Sequence, residues 1–458
     1  MRALKGLVAT AALGLAWAGL STGVAATVAT ATIAIQPDIA GSHLVSTGAP
    51  PTLAQCEAQF SVACYDPAQI EQAYNLNPLY AKGYAGQGET IVIVDSFGSP
   101  TIGRDLARFD RDFHLPAPPS FRVIQPAGPV THEDPGWAGE TSLDVEYAHT
   151  IAPRANILLV ETPTSENEGT TGFPQIVEAE NYVIDHHLGD VISQSFSATE
   201  ETFPTAQSLL HLRGAYINAA HHNVTVLAAS GDSGAADVHF NGVDYYLHPV
   251  TSWPDSDPLV TGVGGSQLHL DAAGDHTAPD SVWNDTYSVA TNEFIFGDAG
   301  PNPLAGGGGK SIIFARPGYQ NSVASVVGAH RGVPDISMSA ACNGGVLVYQ
   351  SFKGGGPPGY YVVCGTSEAT PLFSGIVAIA DQYAGHDLGV INPALYELSA
   401  GGAPGIVDIV HGNNTVTFPQ NGSLHTVHGF PALPGYDLAS GVGTVDAARF
   451  IPELAATG

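Results

Sequence analysis

Residues 88–95 read Gly-Glu-Thr-Ile-Val-Ile-Val-Asp and contain the first buried strand that the sequence predicts. Residues 91–94 form a continuous apolar run rich in β-branched side chains, which is typical of a strand buried on both faces. Similar runs follow at residues 157–160, 191–193, 224–228 and 259–263. The chain therefore contains at least five segments with the pattern of buried strands.

Helical patterns lie between these runs, at residues 102–113, 140–151, 173–187 and 206–222. Regular alternation of strands and helices is typical of parallel sheets, because each crossover returns the chain to the same end of the sheet. We therefore predict an α/β fold, with a mostly parallel sheet and helices on both faces. Two strand-like segments, 345–349 and 360–363, precede a long buried helix that begins near Ser367.

Charge and composition exclude one class of partner. The 458 residues include 14 Lys and Arg against 43 Asp and Glu, a formal net charge of −29. A surface of this sign repels phosphate backbones, so we expect no nucleic-acid partner. Low cation content also leaves few ion pairs to break on acidification. This composition is compatible with work at acidic pH, and equally with an ordinary acidic secreted protein.

The amino terminus has the layout of a secretory signal peptide. Two cationic residues in the first five are followed by an apolar stretch over 7–20 and then by small residues. We predict a signal peptide over 1–30, cut between Ala26 and Ala31, an N-terminal arm over 31–66 and one globular domain over 67–458. Residues 27–51 show no clear period, which predicts a loosely ordered segment. No later stretch is long and apolar enough to anchor the chain, so we expect a secreted protein.

Four cysteines in an exported chain indicate two disulfides. Proximity along the chain favours Cys56 with Cys64 and Cys342 with Cys364, although spacing alone does not fix the pairing. Metal binding by the thiols is the weaker alternative, because the chain has no Cys-x-x-Cys spacing.

Ser367 lies in the segment Gly-Thr-Ser-Glu-Ala over 365–369. A tight turn at a helix start presents unpaired backbone N–H groups, which could meet a developing oxyanion. Gly-Thr-Ser is common, however, so a nucleophilic role depends on whether another part of the chain supplies a base.

Glu140 and Asp144 are the candidate base. Their i, i+4 spacing on a predicted helix places both carboxyl groups on one face. If that face is buried, desolvation and like charge allow one proton to be shared between them at mildly acidic pH. The alternative is a solvated helix face with no chemical role.

Asp232 lies in Ser-Gly-Asp-Ser-Gly over 230–234, directly after the fourth predicted strand. The carboxyl ends of parallel strands are where open α/β sheets bind ligands. A protonated Asp232 could donate a hydrogen bond to an oxyanion. An Asx turn or a helix N-cap would use the same residue.

A histidine-based triad is the competing arrangement. His149 lies five residues after Asp144, roughly opposite the carboxyl face of that helix, and His132 has Glu133 and Asp134 beside it. We interpret both histidines as surface or packing residues. An ordinary Ser-His-Asp subtilase that uses Asp95 stays as a further alternative.

In order along the chain, these motifs resemble the sedolisins, the serine-carboxyl peptidases. The resemblance rests on Glu140-x-x-x-Asp144, Ser-Gly-Asp232-Ser-Gly and Gly-Thr-Ser367-x-x-x-Pro, and extends over roughly residues 70–450. Further segments also match the family: Ile-Ala-Pro at 151–153, Thr-Gly-Val-Gly-Gly-Ser at 261–266, Arg-Gly-Val-Pro-Asp at 331–335 and Gly-Tyr-Asp-Leu-Ala-Ser-Gly-Val-Gly at 435–443.

The resemblance implies a subtilisin-like fold and a serine-type endopeptidase that acts at acidic pH on protein or peptide substrates. Ser367 would be the nucleophile, Glu140 the general base and then acid, and Asp144 its orienting partner. Asp232 would be the protonated oxyanion donor. We expect a monomer that has no membrane partner once the signal peptide is removed.

The resemblance also implies one structural Ca²⁺ near the carboxyl terminus, with Asp408, Ile409, Leu433, Gly435 and Asp437 as ligands. All of the donors would be oxygens, as Ca²⁺ prefers. Leu433 stands where the family usually has Gly, but a backbone carbonyl can be supplied by either residue. The alternative is two aspartates in ordinary turns.

Two departures from the family pattern favour a second function. Sedolisins are commonly made with a long N-terminal prodomain, whereas here only residues 27–67 separate the predicted signal peptide from the domain, which predicts a prodomain-less member. Asp95 ends the first strand, where better-known members carry Glu. The alternative is therefore a catalytically weak or inactive sedolisin-like secreted binding protein.

Overall fold

The central sheet has eight strands among the residues that the structure describes. The structure is a computed structural model that describes residue 37 and residues 40–457. In chain order the strands are Thr90–Ser96, Phe121–Ile124, Asn156–Thr162, Val191–Gln194, Thr225–Ala229, Thr261–Gln267, Ser281–Val282 and Ile336–Ser339. The predicted signal peptide lies outside the described residues, as do residues 31–36, 38 and 39 of the arm.

The strand order confirms a parallel sheet. Starting at one edge, strands 121–124, 156–162, 90–96, 191–194, 225–229 and 261–267 are successive parallel neighbours. Strand 261–267 also pairs in parallel with 336–339 and antiparallel with 281–282. All five predicted strands are present. The fifth begins two residues late, because Asp257 closes a turn by accepting hydrogen bonds from the amides of Leu259 and Val260.

Both faces of the sheet are covered, as the continuous apolar runs predict. Ile91 and Ile93 pack into one apolar cluster with Leu143, while Val92 and Val94 pack into a second cluster on the opposite face. The first face carries helices Pro135–Ile151, Thr366–Ala384 and Ala447–Ala455. The second face carries Phe173–Asp185 and Gly214–His222. The sheet therefore lies between two helical layers.

The predicted helices form with three adjustments, one of which is that the helix predicted over 173–187 ends at Asp185. Helix Ile102–Phe113 has its predicted bounds, and the helix predicted over 140–151 begins earlier, at Pro135. Asp134 caps that helix by accepting hydrogen bonds from the amides of Gly136 and Trp137. The helix predicted over 206–222 is instead two helices, Ala206–Leu210 and Gly214–His222, separated by a turn in which the Leu212 amide bonds to Leu209.

A second, four-stranded sheet corrects the prediction for the arm. Its order is Gly41–Ser46, Gly359–Cys364, Gly345–Gln350 and Cys64–Tyr65. The prediction of a loosely ordered segment is wrong for residues 41–46, because their backbone pairs antiparallel with residues 360–364. Helix Leu53–Phe60 follows. The domain boundaries themselves stay a prediction.

Both favoured disulfides are present. Cys56 joins Cys64, and Cys342 joins Cys364. The second bridge fixes the end of strand Gly359–Cys364, three residues before Ser367.

The remaining elements are short. The strands are Ala198–Thr199, Ser252–Trp253, Gly309–Ala315, His330–Val333, Ile406–Val407, Val416–Gln420, Ser423–Val427 and Thr444–Val445. The α-helices are Pro67–Ala73, Asn77–Tyr80, Val289–Phe296, Ala324–Val327 and Asn392–Gly401, and the 3₁₀ helices are Glu200–Thr202 and Gly318–Val323. Within the described part of the chain, no helix has the length and apolar character needed to cross a membrane.

Candidate active site

Ser367 lies in the first turn of the buried helix Thr366–Ala384. The chain leaves strand Gly359–Cys364 through Gly365, whose φ of 130° is a conformation that side chains disfavour. The Ser367 side chain is fully buried, and the helix packs against helix Pro135–Ile151 across the same face of the sheet. The predicted position of Ser367 at a helix start is confirmed.

Glu140 and Asp144 lie on helix Pro135–Ile151, in which every residue from Trp137 onwards is buried. The alternative of a solvated helix face is therefore wrong. The two carboxyl groups are close neighbours on this buried face. Burial raises the pKa of Asp144 well above its usual range, and the negative charge of Asp95 raises it further.

Ser195 is a member of the site that sequence reasoning missed. Its Oγ donates to Asp144 Oδ1 at 2.9 Å and lies 3.5 Å from the Ser367 carbonyl oxygen. Ser195 directly follows strand Val191–Gln194, so its position after a parallel strand is the same signal that singled out Asp232. The contact joins the carboxyl pair to the backbone of Ser367.

Asp232 contacts the residue before Ser367. Asp232 Oδ1 accepts hydrogen bonds from the Thr366 amide at 2.7 Å and from Thr366 Oγ1 at 2.9 Å. The carboxyl group thus satisfies one of the unpaired N–H groups at the start of the Ser367 helix. When Asp232 is protonated, the proton is on Oδ2, because Oδ1 is the acceptor of both bonds.

Asp95 lies at the end of strand Thr90–Ser96 and is fully buried. Its carboxyl group lies near Thr141, on the same helix as Glu140. Burial, as the largest cause, and the negative charge of Glu161 raise the pKa of Asp95 to about 7, against the lowering effect of Thr141. Asp95 therefore adds a third carboxyl group beside the Glu140 and Asp144 pair.

The two histidines of the competing triad contact residues other than Ser367 and its candidate carboxyl partners. His149 Nε2 is 2.8 Å from the Pro116 carbonyl oxygen and 3.4 Å from Asp110 Oδ1. The exposed His132 ring stands edge-on to Phe97. These contacts support the interpretation of both as packing or surface residues.

Two pairs of the predicted calcium ligands are in contact in the structure. Asp408 Oδ2 accepts a hydrogen bond from the Gly435 amide, and Asp437 Oδ2 accepts one from the Leu433 amide, each at 2.8 Å. The carboxyl groups of Asp408 and Asp437 therefore both contact the loop 433–437. The backbone carbonyl groups of this loop offer further oxygen ligands for a metal ion. This all-oxygen set fits Ca²⁺ in kind.

The fold and the site together define a protein of subtilisin-like α/β architecture that has a buried serine and four carboxyl groups near the carboxyl ends of its central strands. No family model matches the chain. Kumamolisin from Bacillus sp. (strain MN-32) is 30% identical over 399 residues, which cover 85% of this chain and 63% of kumamolisin. Human tripeptidyl-peptidase 1 is 27% identical over 355 residues, or 74% of this chain and 55% of that protein.

A solved structure of Pseudomonas sedolisin, a serine-carboxyl proteinase complexed with two molecules of pseudo-iodotyrostatin, superposes with a TM-score of 0.69. It is 23% identical, and the match covers 87% of this chain and 99% of that one. The chain belongs to the sedolisin family. It spans about half to two thirds of the length of the curated relatives it matches.

Proposed function

We propose that this chain is a serine-carboxyl peptidase that hydrolyses peptide bonds through an acyl-enzyme on Ser367. The observation that carries the proposal is the buried pair of Glu140 and Asp144, in which Ser195 links Asp144 to the Ser367 backbone. A carboxyl pair that already holds one proton is a suitable base for a serine hydroxyl in an acidic medium.

In the proposed reaction, Ser367 Oγ attacks the scissile carbonyl carbon and its proton passes to Glu140. The tetrahedral oxyanion accepts a hydrogen bond from protonated Asp232. The C–N bond then breaks, and Glu140 returns the proton to the leaving amine. A water molecule attacks the acyl ester and gives its proton to Glu140, which restores Ser367 as the ester C–O bond breaks.

Activity at acidic pH follows from this assignment of residue roles. Asp232 has to keep a proton to donate to the oxyanion, and carboxyl groups hold their protons at acidic pH. Burial and the neighbouring Asp95 raise the pKa of Asp144, so the proton that the pair shares is retained into mildly acidic conditions. We propose protein or peptide substrates. Secretion and a monomeric state stay predictions.

The direct test measures cleavage of a denatured protein by the purified mature chain between pH 3 and pH 8. We expect cleavage confined to the acidic part of this range, with covalent capture of Ser367 by a peptide aldehyde. Product lengths will separate endopeptidase from tripeptidyl-peptidase action. Absence of cleavage and of aldehyde capture at every pH would support the alternative, an inactive sedolisin-like binding protein.

Ser195 is a positioning residue in this proposal. Removing its hydroxyl takes one hydrogen bond from Asp144, and that bond lowers the pKa of Asp144. Ser195→Ala is therefore expected to lower kcat by about 10- to 100-fold and to move the acidic limb of the kcat profile to higher pH. Stopped assays of a fluorogenic peptide across the pH range will measure both effects.

Ser193→Ala is the matched control for Ser195→Ala. Ser193 is buried two residues earlier, and its hydroxyl has no hydrogen-bond partner among the described residues. Ser195→Thr should recover most of the activity, because it keeps the hydroxyl. A pH profile unchanged in Ser195→Ala would show that the Ser195 bond has no role in proton transfer.

We also propose that Asp408 and Asp437, with the carbonyl groups of Ile409, Leu433 and Gly435, bind one structural Ca²⁺. When bound, the ion would hold the 433–437 loop against the 408–409 segment. Asp408→Asn is expected to lower calcium affinity at this site by at least about tenfold, because the ion loses one charged ligand. Asp437 makes three further hydrogen bonds to residues 439 and 440, so its substitution is the less specific test.

A further inference from the structure

Glu368 directly follows Ser367 and has no part in the proposed reaction. It lies in the first turn of helix Thr366–Ala384, and its side chain is fully buried. Successive residues of a helix point about 100° apart, so Glu368 leaves the turn in a different direction from Ser367. A buried carboxyl group therefore lies beside the candidate nucleophile without facing the reacting atoms.

Two strands of different sheets lie against Glu368. The polar groups near its carboxyl group are the Ser339 hydroxyl, at the end of strand Ile336–Ser339, and the Val346 amide, in strand Gly345–Gln350. The first strand belongs to the central sheet and the second to the four-stranded sheet. The buried Ser339 hydroxyl has no hydrogen bond to any other described residue. Glu368 thus lies where the start of its helix meets both sheets.

No cationic side chain balances Glu368 within the described part of the chain. None of the ion pairs found there includes it. The charge of an ionised Glu368 would act on three phenol groups, and it would raise the pKa values of Tyr65, Tyr74 and Tyr147. A fully buried carboxyl group without a cation is neutral, and burial accordingly raises the pKa of Glu368 well above its usual range.

The turn that carries Ser367 is held on both sides of that residue. On one side, Asp232 accepts hydrogen bonds from the amide and the hydroxyl of Thr366. On the other side, the Glu368 amide donates to the Gly365 carbonyl at 2.9 Å, and the Glu368 side chain extends towards the two strands. Ser367 therefore lies between one residue fixed by a carboxyl group and another that carries one.

We propose that Glu368 is a positioning residue for Ser367: its neutral carboxyl group holds the first turn of the helix against the two neighbouring strands. The inference rests on the proposed peptidase function, in which Ser367 Oγ has to lie within reach of Glu140 and of the scissile carbonyl carbon. A displacement of about 1 Å lowers such a rate by about 10²-fold. The neutral form is required because a negative charge beside the turn would repel the oxyanion that develops there.

The kinetics of Glu368→Gln and Glu368→Leu test this role. Glutamine keeps the length and a neutral polar end, so kcat should stay close to that of the wild type throughout the acidic range. Leucine removes the polar contacts and should lower kcat by about 10- to 100-fold, with KM changed by less than about threefold. Glu180→Leu makes the same change at an equally buried carboxyl group on the opposite face of the sheet, and it should keep the wild-type kcat.

Ser339→Ala tests the contact between Glu368 and the central sheet. We expect a smaller loss of kcat than in Glu368→Leu. The loss in the double variant should be smaller than the product of the two single losses, because both changes remove one contact. Losses that simply multiply would place the effect of Glu368 outside this contact and overturn the proposal. Ser339→Ala is the smaller change, so it also carries the test if Glu368→Leu does not fold.

Hydrogen exchange of the folded mature chain gives a readout that does not need peptidase activity. Amides of residues 366–369 should exchange at least about tenfold faster in Glu368→Leu than in the wild type, Glu368→Gln and Glu180→Leu. Wild-type exchange and kcat in Glu368→Leu would overturn the proposal, as would a loss of kcat in Glu368→Gln equal to that in Glu368→Leu. Faster exchange in Glu368→Leu, in a protein whose wild type cleaves no substrate, would support the positioning role while the proposed function fails.

Discussion

Alanine at position 367 is expected to lower kcat for peptide hydrolysis by about 10⁵-fold. Without Oγ no acyl-enzyme can form, and serine hydrolases that lose their nucleophile retain only the contribution of substrate binding and oxyanion stabilisation. Glu140→Gln should cost nearly as much, because the amide neither takes the Ser367 proton nor returns it. The double variant should be no worse than either single one, since the two residues act in one step.

Ser374→Ala is the matched control for this loss. Ser374 is buried on the same helix, about two turns further on, and its hydroxyl donates to the Pro371 carbonyl within that helix. Initial rates at the acidic optimum, with far-UV circular dichroism to verify folding, will separate the two variants. Equal rates for wild type and Ser367→Ala would exclude Ser367 as the nucleophile and, with it, the proposed function.

The central sheet was predictable because buried parallel strands are apolar on both faces. Residues 90–96 and 156–162 carry this pattern, and their register in the structure is that of direct neighbours. Strand Phe121–Ile124 escaped prediction because it lies at the edge of the sheet, with Arg122 and Val123 exposed. Strand Ile336–Ser339 escaped because it is short and is preceded by Pro334.

The candidate site was predictable where two of its residues are brought together by local structure alone. The spacing of Glu140 and Asp144 requires only a helix for the two carboxyl groups to meet. Ser195 was not predictable in the same way, because its contact with Asp144 joins residues 51 positions apart and serines are frequent after strands. The strand at residues 41–46 was missed for a related reason: its pairing with residues 360–364 is set by tertiary packing, not by local propensity.

Buried carboxyl groups outside the site make the folded state less stable as the pH rises from acidic to neutral values. Glu180 is buried on helix Phe173–Asp185, and neither of its carboxyl oxygens has a hydrogen-bond partner among the described residues. Burial alone raises its pKa from 4.5 to about 8. Since the folded state holds the proton more tightly than the unfolded state does, stability is fully present below pH 4.5 and is lost as pH rises to about 8.

Glu180→Gln is therefore expected to protect the fold at neutral and alkaline pH. A pKa difference of this size corresponds to about 4 kcal/mol of unfolding free energy between pH 4 and pH 8, which glutamine does not lose because it does not titrate. Urea unfolding at intervals from pH 4 to pH 8 will measure the difference. Glu178→Gln, exposed on the same helix, is the control and should follow the wild type throughout. If Glu180→Gln also follows the wild type, Glu180 is already ionised in the folded protein. Any greater stability at acidic pH then comes from other buried carboxyl groups, such as Glu146 and Glu368, whose pKa values burial also raises.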